Sequence, residues 1–66
     1  MPVRYTAKEM IKIVEKDGWT LVRVKGSHHI FEHSKKPGTV VVPVHKGTMP
    51  IGTSNGILKQ AGLKGH

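Results

Sequence analysis

The chain contains no cysteine. That absence removes disulfides, thiolate nucleophiles and cysteine-ligated zinc, and it fits a reducing compartment. Aromatic residues are few, with one Trp, one Tyr and one Phe. Single-strand recognition by stacking on an aromatic platform therefore has little to build on. Acidic residues are scarce as well, the only four being Glu9, Glu15, Asp17 and Glu32, and they offer no obvious pair for two-carboxylate catalysis. No apolar run approaches the roughly 20 residues that cross a bilayer. Met1-Pro2-Val3-Arg4-Tyr5 leads into a charged amphipathic segment with no leader-like apolar core. The expectation is a soluble, cytoplasmic protein.

What is present is positive charge. Eleven Lys and Arg give a net charge of +7 on 66 residues, a dense field for which polyanions are the natural partners. The basic residues are spread along the chain and do not line one face of a long amphipathic helix, so nucleic acid is favoured over a membrane surface. A chain of this length is expected to form one domain over residues 1–66. It would bury only roughly 60% of its extended surface.

Thr6-Ala7-Lys8-Glu9 reads as a capping box. Behind it Ala7, Met10, Ile11 and Val14 recur at helical spacing, and Asp17-Gly18 closes the helix. Trp19 to Lys25 is rich in strand formers, Gly26-Ser27 suits a two-residue hairpin turn, and His28 to His33 returns as a second strand. Ser34-Lys35-Lys36-Pro37-Gly38 is a turn-rich loop. Thr39 to Val44 follows as a third strand whose unbroken valines predict a central or well-covered place. Thr53 or Ser54 is the expected cap of a last helix carrying Ile57, Leu58 and Ala61, ended by Gly62. The fold class is α+β: an α-β-β-β-α two-layer sandwich, with both helices on one face of a three-stranded antiparallel sheet. Trp19 and Phe31 are expected in its core.

Two of the five histidines stand directly after the Gly-Ser turn, and a third, His45, ends the valine run. Successive strand residues point to opposite faces, so His28 and His29 cannot share an ion. His29 and His33 lie about 13 Å apart, too far to ligate one metal. Only a pair such as His28 with His45 can converge, and two neutral ligands in a positive field make a poor cation site, so no metal and no cofactor are expected. Ser27 beside His28 has no third orienting group, which disfavours a nucleophilic triad. Acid–base work on RNA remains open, because the substrate brings its own 2′-OH nucleophile and one histidine with Lys or Arg support supplies part of the remainder. Taken singly, each of these residues also reads as an ordinary polar strand or loop position. Together Lys25, Lys35, Lys36 and Lys46 can track phosphates, with Ser27 and His45 at the two junctions as further RNA contacts.

Several segments resemble one family throughout. Ile13-Val14-Glu15-Lys16-Asp17-Gly18-Trp19 resembles the first helix and strand entry of HicA-type toxins, and Arg23-Val24-Lys25-Gly26-Ser27-His28-His29-Ile30-Phe31 resembles their central signature. Val41-Val42-Pro43-Val44-His45 is similar to the third-strand signature. Gly52-Thr53 with Ile57-Leu58-Lys59-Gln60-Ala61-Gly62-Leu63 is similar to the C-terminal helix. One departure is Ser54-Asn55-Gly56, where an apolar residue usually follows Gly-Thr. The resemblance implies a fold like a double-stranded RNA-binding domain and an mRNA-cleaving toxin neutralised by a HicB-type antitoxin. It also implies a catalytic histidine after the Gly-Ser turn, which maps to His28, with His29 as runner-up. A non-catalytic RNA-binding module and a basic docking protein are the alternatives.

Overall fold

Thr6 opens the first helix by a reciprocal exchange. Its hydroxyl accepts from the Glu9 amide at 3.1 Å, and the Glu9 carboxylate accepts from the Thr6 amide at 2.9 Å. Such a cap is worth about 1 kcal/mol. Helix α1 runs Ala7–Lys16 and turns Ala7, Met10 and Val14 into the core. It ends at Gly18, whose φ of +106° places it in the left-handed region. A Cβ there would also stand 2.8 Å from the His33 ring, so both backbone and space require glycine.

The computed structural model describes residues 4–63. Residues 1–3, read above as lacking a leader pattern, and residues 64–66 lie outside the described residues. Strands β1 (Trp19–Lys25), β2 (His28–His33) and β3 (Thr39–Pro43) follow α1, and α2 (Ile51–Gln60) completes the α-β-β-β-α order. Gly26 at φ +60° followed by a residue at negative φ is the combination a two-residue II′ hairpin needs, and Lys25 pairs with His28 across it. No helix among the described residues is long and apolar enough to cross a membrane.

The sheet order is β1-β2-β3, antiparallel throughout. Of the central or well-covered place expected for the valine strand, the central alternative is corrected. Short connections make each strand the neighbour of the next, so β2 is central and β3 is an edge. Its valines alternate accordingly: Val40 and Val42 are fully buried and Val41 is 38% exposed. The strand also stops at Pro43, one residue short of the expected end.

One face carries the core, in which Trp19, Phe31, Val40 and Val42 meet Met10 and Val14 of α1 and Ile57 and Leu58 of α2. Coverage is uneven. Beyond Trp19, β1 is exposed along its whole length, with Leu21 at 41% and Val24 at 53%.

The last helix begins earlier than Thr53 or Ser54. Pro50 is its N-cap, with no side-chain cap bond, and Gly52 to Ser54 are already helical. Proline's fixed φ and missing donor let a helix start there without a capping hydroxyl. Ser54, the departure noted from the resemblance, is instead buried inside the helix. It is 1% exposed, and its hydroxyl donates to the Ile51 carbonyl at 2.9 Å, so burial leaves no orphaned donor. Gly62 closes the helix at positive φ, with Leu63 N–H on the Leu58 carbonyl and Gly62 N–H on that of Lys59.

A polar clasp ties the far ends of these elements together. Lys36 Nζ donates to Asp17 Oδ2 at 2.5 Å and to the Ala61 carbonyl at 3.0 Å, while Trp19 Nε1 donates to the same carboxylate at 3.2 Å. The Lys35 amide donates to His33 Nδ1, which leaves the ring proton on Nε2 for the Asp17 carbonyl at 2.8 Å. The Lys36 hydrogen bond, with smaller help from Trp19 and nearby positive charge, holds the Asp17 carboxyl below its ordinary 3.8. Folding therefore favours the carboxylate. Its stabilising contribution is complete above 3.8 and disappears as pH falls through the lowered folded value. Asp17→Asn is expected to melt below the parent at neutral pH, with the gap closing on acidification below 3.8. Thermal denaturation against pH checks this, and a gap constant with pH refutes it.

Candidate active site and nucleic-acid interface

Directly opposed residues in an antiparallel pair share a face, and successive residues alternate. Phe31 faces the helices, so His28, Ile30 and Glu32 of β2 face away from them. On β3 the same open face carries Thr39, Val41 and Pro43. His28 is exposed and stands between Lys25 on one side and Pro43 on the other.

The register of β1 shifts between Leu21 and Arg23. Leu21 opposes Phe31, yet Arg23 opposes Ile30, so Val22 is an inserted residue. Its effect is to reverse the facing of everything after it. Plain alternation from buried Trp19 would aim Arg23 and Lys25 at the helices. The bulge turns both onto the open face, flanking Ile30 and His28. Arg23 is thus a member of the site that the sequence reading missed. Its signal was only its charge beside the hairpin, because nothing in the residues announces the bulge.

His29 goes the other way. It opposes Val24 and Val42 on the helix-covered face, is half-buried, and its Nδ1 is enclosed without a hydrogen-bond partner. The adjacent histidines are therefore unlike in surroundings: one is in solvent on a basic face, the other packed among valines.

Of the other candidate contacts, Ser27 holds the junction together, its carbonyl accepting from the Val44 amide at 2.7 Å. That bond fixes the end of β3 against the hairpin turn, and exposed His45 and Lys46 leave from there. Since His28 opposes Pro43, His45 lies two residues past the paired strand. Lys35 and Lys36 are not part of this cluster. They follow β2 at its opposite end, about 17 Å from His28 at ~3.3 Å per residue. Lys36 is moreover committed to Asp17 and Ala61. Glu32 shares the open face but lies about 13 Å along the strand from His28. Among the described residues, no three His, Asp or Glu side chains gather closely enough to hold a metal ion.

The open face therefore gathers Arg23, Lys25 and His28 at one end of the sheet, and the His45-Lys46 loop leaves β3 from that same end. Two cations and an imidazole side by side can bind a phosphodiester and move a proton on it. Comparison of the sequence with curated proteins returns no match. The family model for the HicA toxin of bacterial toxin–antitoxin systems matches residues 7–63, from the first residue of α1 to the turn that closes α2. With that span covering every element that builds the site, the chain belongs to the HicA toxin family and has an antitoxin as its partner.

Proposed function

We propose that this toxin cleaves messenger RNA and so arrests translation, with His28 as its acid–base residue, no metal ion, and a HicB-type antitoxin as its inhibitor. One observation carries the reading: His28 is exposed on the open face, against Lys25 and one register step from Arg23. The substrate's 2′-oxygen attacks the adjacent phosphorus and the bond from phosphorus to the 5′-oxygen breaks. A 2′,3′-cyclic phosphate and a 5′-hydroxyl result. The imidazole takes the 2′-OH proton, and the departing 5′-oxygen gains one from solvent or from His45. Arg23 and Lys25 offset the charge on the phosphoryl oxygens. DNA lacks the nucleophile and is not cut.

The test uses RNA oligonucleotides in EDTA, mapped for cut sites. One 2′-deoxy nucleotide at a mapped site is expected to abolish that cut and leave the others. Cutting through the deoxy position, or activity lost in EDTA and restored by a divalent ion, overturns the mechanism. A non-catalytic RNA-binding module is the second reading. It is favoured by the single acid on the open face, Glu32, being about 13 Å from His28. RNA bound but never cut would establish it.

A further inference from the structure

A cavity of about 360 Å³ lies beside the His28 junction, and of its lining residues the chemistry above calls only on His45. Pro43, Met49 and Pro50 form its apolar walls, and His45, Thr48 and Thr53 supply the polar atoms. Among the described residues, none of those three side chains makes a hydrogen bond. The volume lies at the small end of ligand pockets, which run from about 300 to 1,000 Å³ and combine apolar walls with a few polar groups. That lining suits one flat, partly polar ring. An unstacked nucleobase is such a ring, and RNA-binding proteins read bases by seating them against apolar side chains with polar groups at their edges.

Position adds the second argument. Pro43 is at once a wall of the cavity and the cross-strand partner of His28. The Val44 amide to Ser27 carbonyl bond, at 2.7 Å, holds that wall to the hairpin turn. The Thr6–Thr48 bridge and the bond from the Met49 amide to the Tyr5 carbonyl, 2.8 Å long, fix the opposite side to the start of α1. The cavity is thus preformed and kept in a set relation to His28. Across the strands the order is Lys25, His28, Pro43, so the step that continues from the two cations through His28 reaches a residue of the cavity wall.

We propose that this cavity receives one unstacked nucleobase, next to the phosphate held at His28, and so gives cleavage a base preference. The inference rests on the RNA-cleaving reading. Its test measures binding, with the full chain carrying His28→Ala so that the RNA stays intact. Short RNAs with one abasic nucleotide moved along the sequence are compared with the unmodified strand. Affinity is expected to fall about tenfold or more at one position and little elsewhere, as for loss of a single seated base. Methyl resonances of Met49 and Thr53 are expected to shift with intact RNA and not with that abasic strand. Thr53→Leu fills the space and is expected to flatten the abasic profile while salt-dependent binding remains. Should that variant fail to fold, Thr53→Val keeps the shape without the hydroxyl and is expected to change which of the four bases binds best there. A flat profile in a protein that does cut RNA overturns the base site alone. Methyl shifts produced equally by inorganic phosphate overturn it in favour of an anion site. Absence of any RNA binding overturns the base site and the cleavage reading together.

Discussion

His28→Ala is expected to abolish RNA cleavage and growth arrest while leaving the fold unchanged. The His28 side chain is exposed and makes no hydrogen bond among the described residues, so truncation removes chemistry and almost no packing. General acid–base catalysis contributes typically 10²–10⁴-fold, and a loss in that range is expected if this imidazole moves the proton. His29→Leu is the paired experiment, with the opposite expectation. The His29 ring sits among Val24 and Val42 with an enclosed, unpartnered Nδ1. A leucine of similar bulk removes that nitrogen and its desolvation cost, so stability is expected to hold or rise while cleavage persists. Single-turnover cleavage and thermal denaturation on both variants decide the matter. An active His28→Ala, or a folded but inactive His29→Leu, would transfer the catalytic role to His29.

The adjacent histidines show how far the residues alone could go. Strand alternation separates them at once, since neighbours must point to opposite faces. Which face is open depends on where the helices dock, and that is tertiary information. The capping box, the Gly18 stop and the Gly26 turn were legible because each is a local geometric demand met by particular residues. The place of β3 was not. A run of valines signals strand formation without saying how many neighbours the strand has, and the short connections put β2 in the middle instead. The start of α2 was misplaced because hydroxyl residues are the usual capping signal, and here a proline performs the entry. Lys35 and Lys36 looked like phosphate contacts for their charge. The loop's position at the far end of β2 separates them from His28, and Asp17 occupies Lys36. Arg23 was overlooked for the converse reason, its facing being decided by one inserted residue at Val22.

That reversal leads to the second large effect. Arg23→Ala combined with Lys25→Ala is expected to weaken RNA binding steeply and to change its salt dependence. Each cation on a single-strand phosphate contributes about −0.7 to the slope of log affinity against log salt, so removal of both should lessen the slope by about 1.4. Lys35→Ala, in the loop at the sheet's far end, is expected to alter the slope little, which separates a local site from bulk charge. An unchanged slope in the double variant would place the phosphate path elsewhere. The same two residues bear on inhibition. On the metal-free mechanism proposed above, inhibition is expected to work by covering the site, and Arg23, Lys25 and His28 form one continuous target for an acidic surface. Opposite charges raise the association rate, so the double variant should capture its antitoxin more slowly and with less dependence on salt. Antitoxin and RNA are then expected to exclude one another from this face. A ternary complex that still cuts RNA would show that the antitoxin binds elsewhere, for instance along the exposed Leu21 and Val24 flank that the helices leave uncovered.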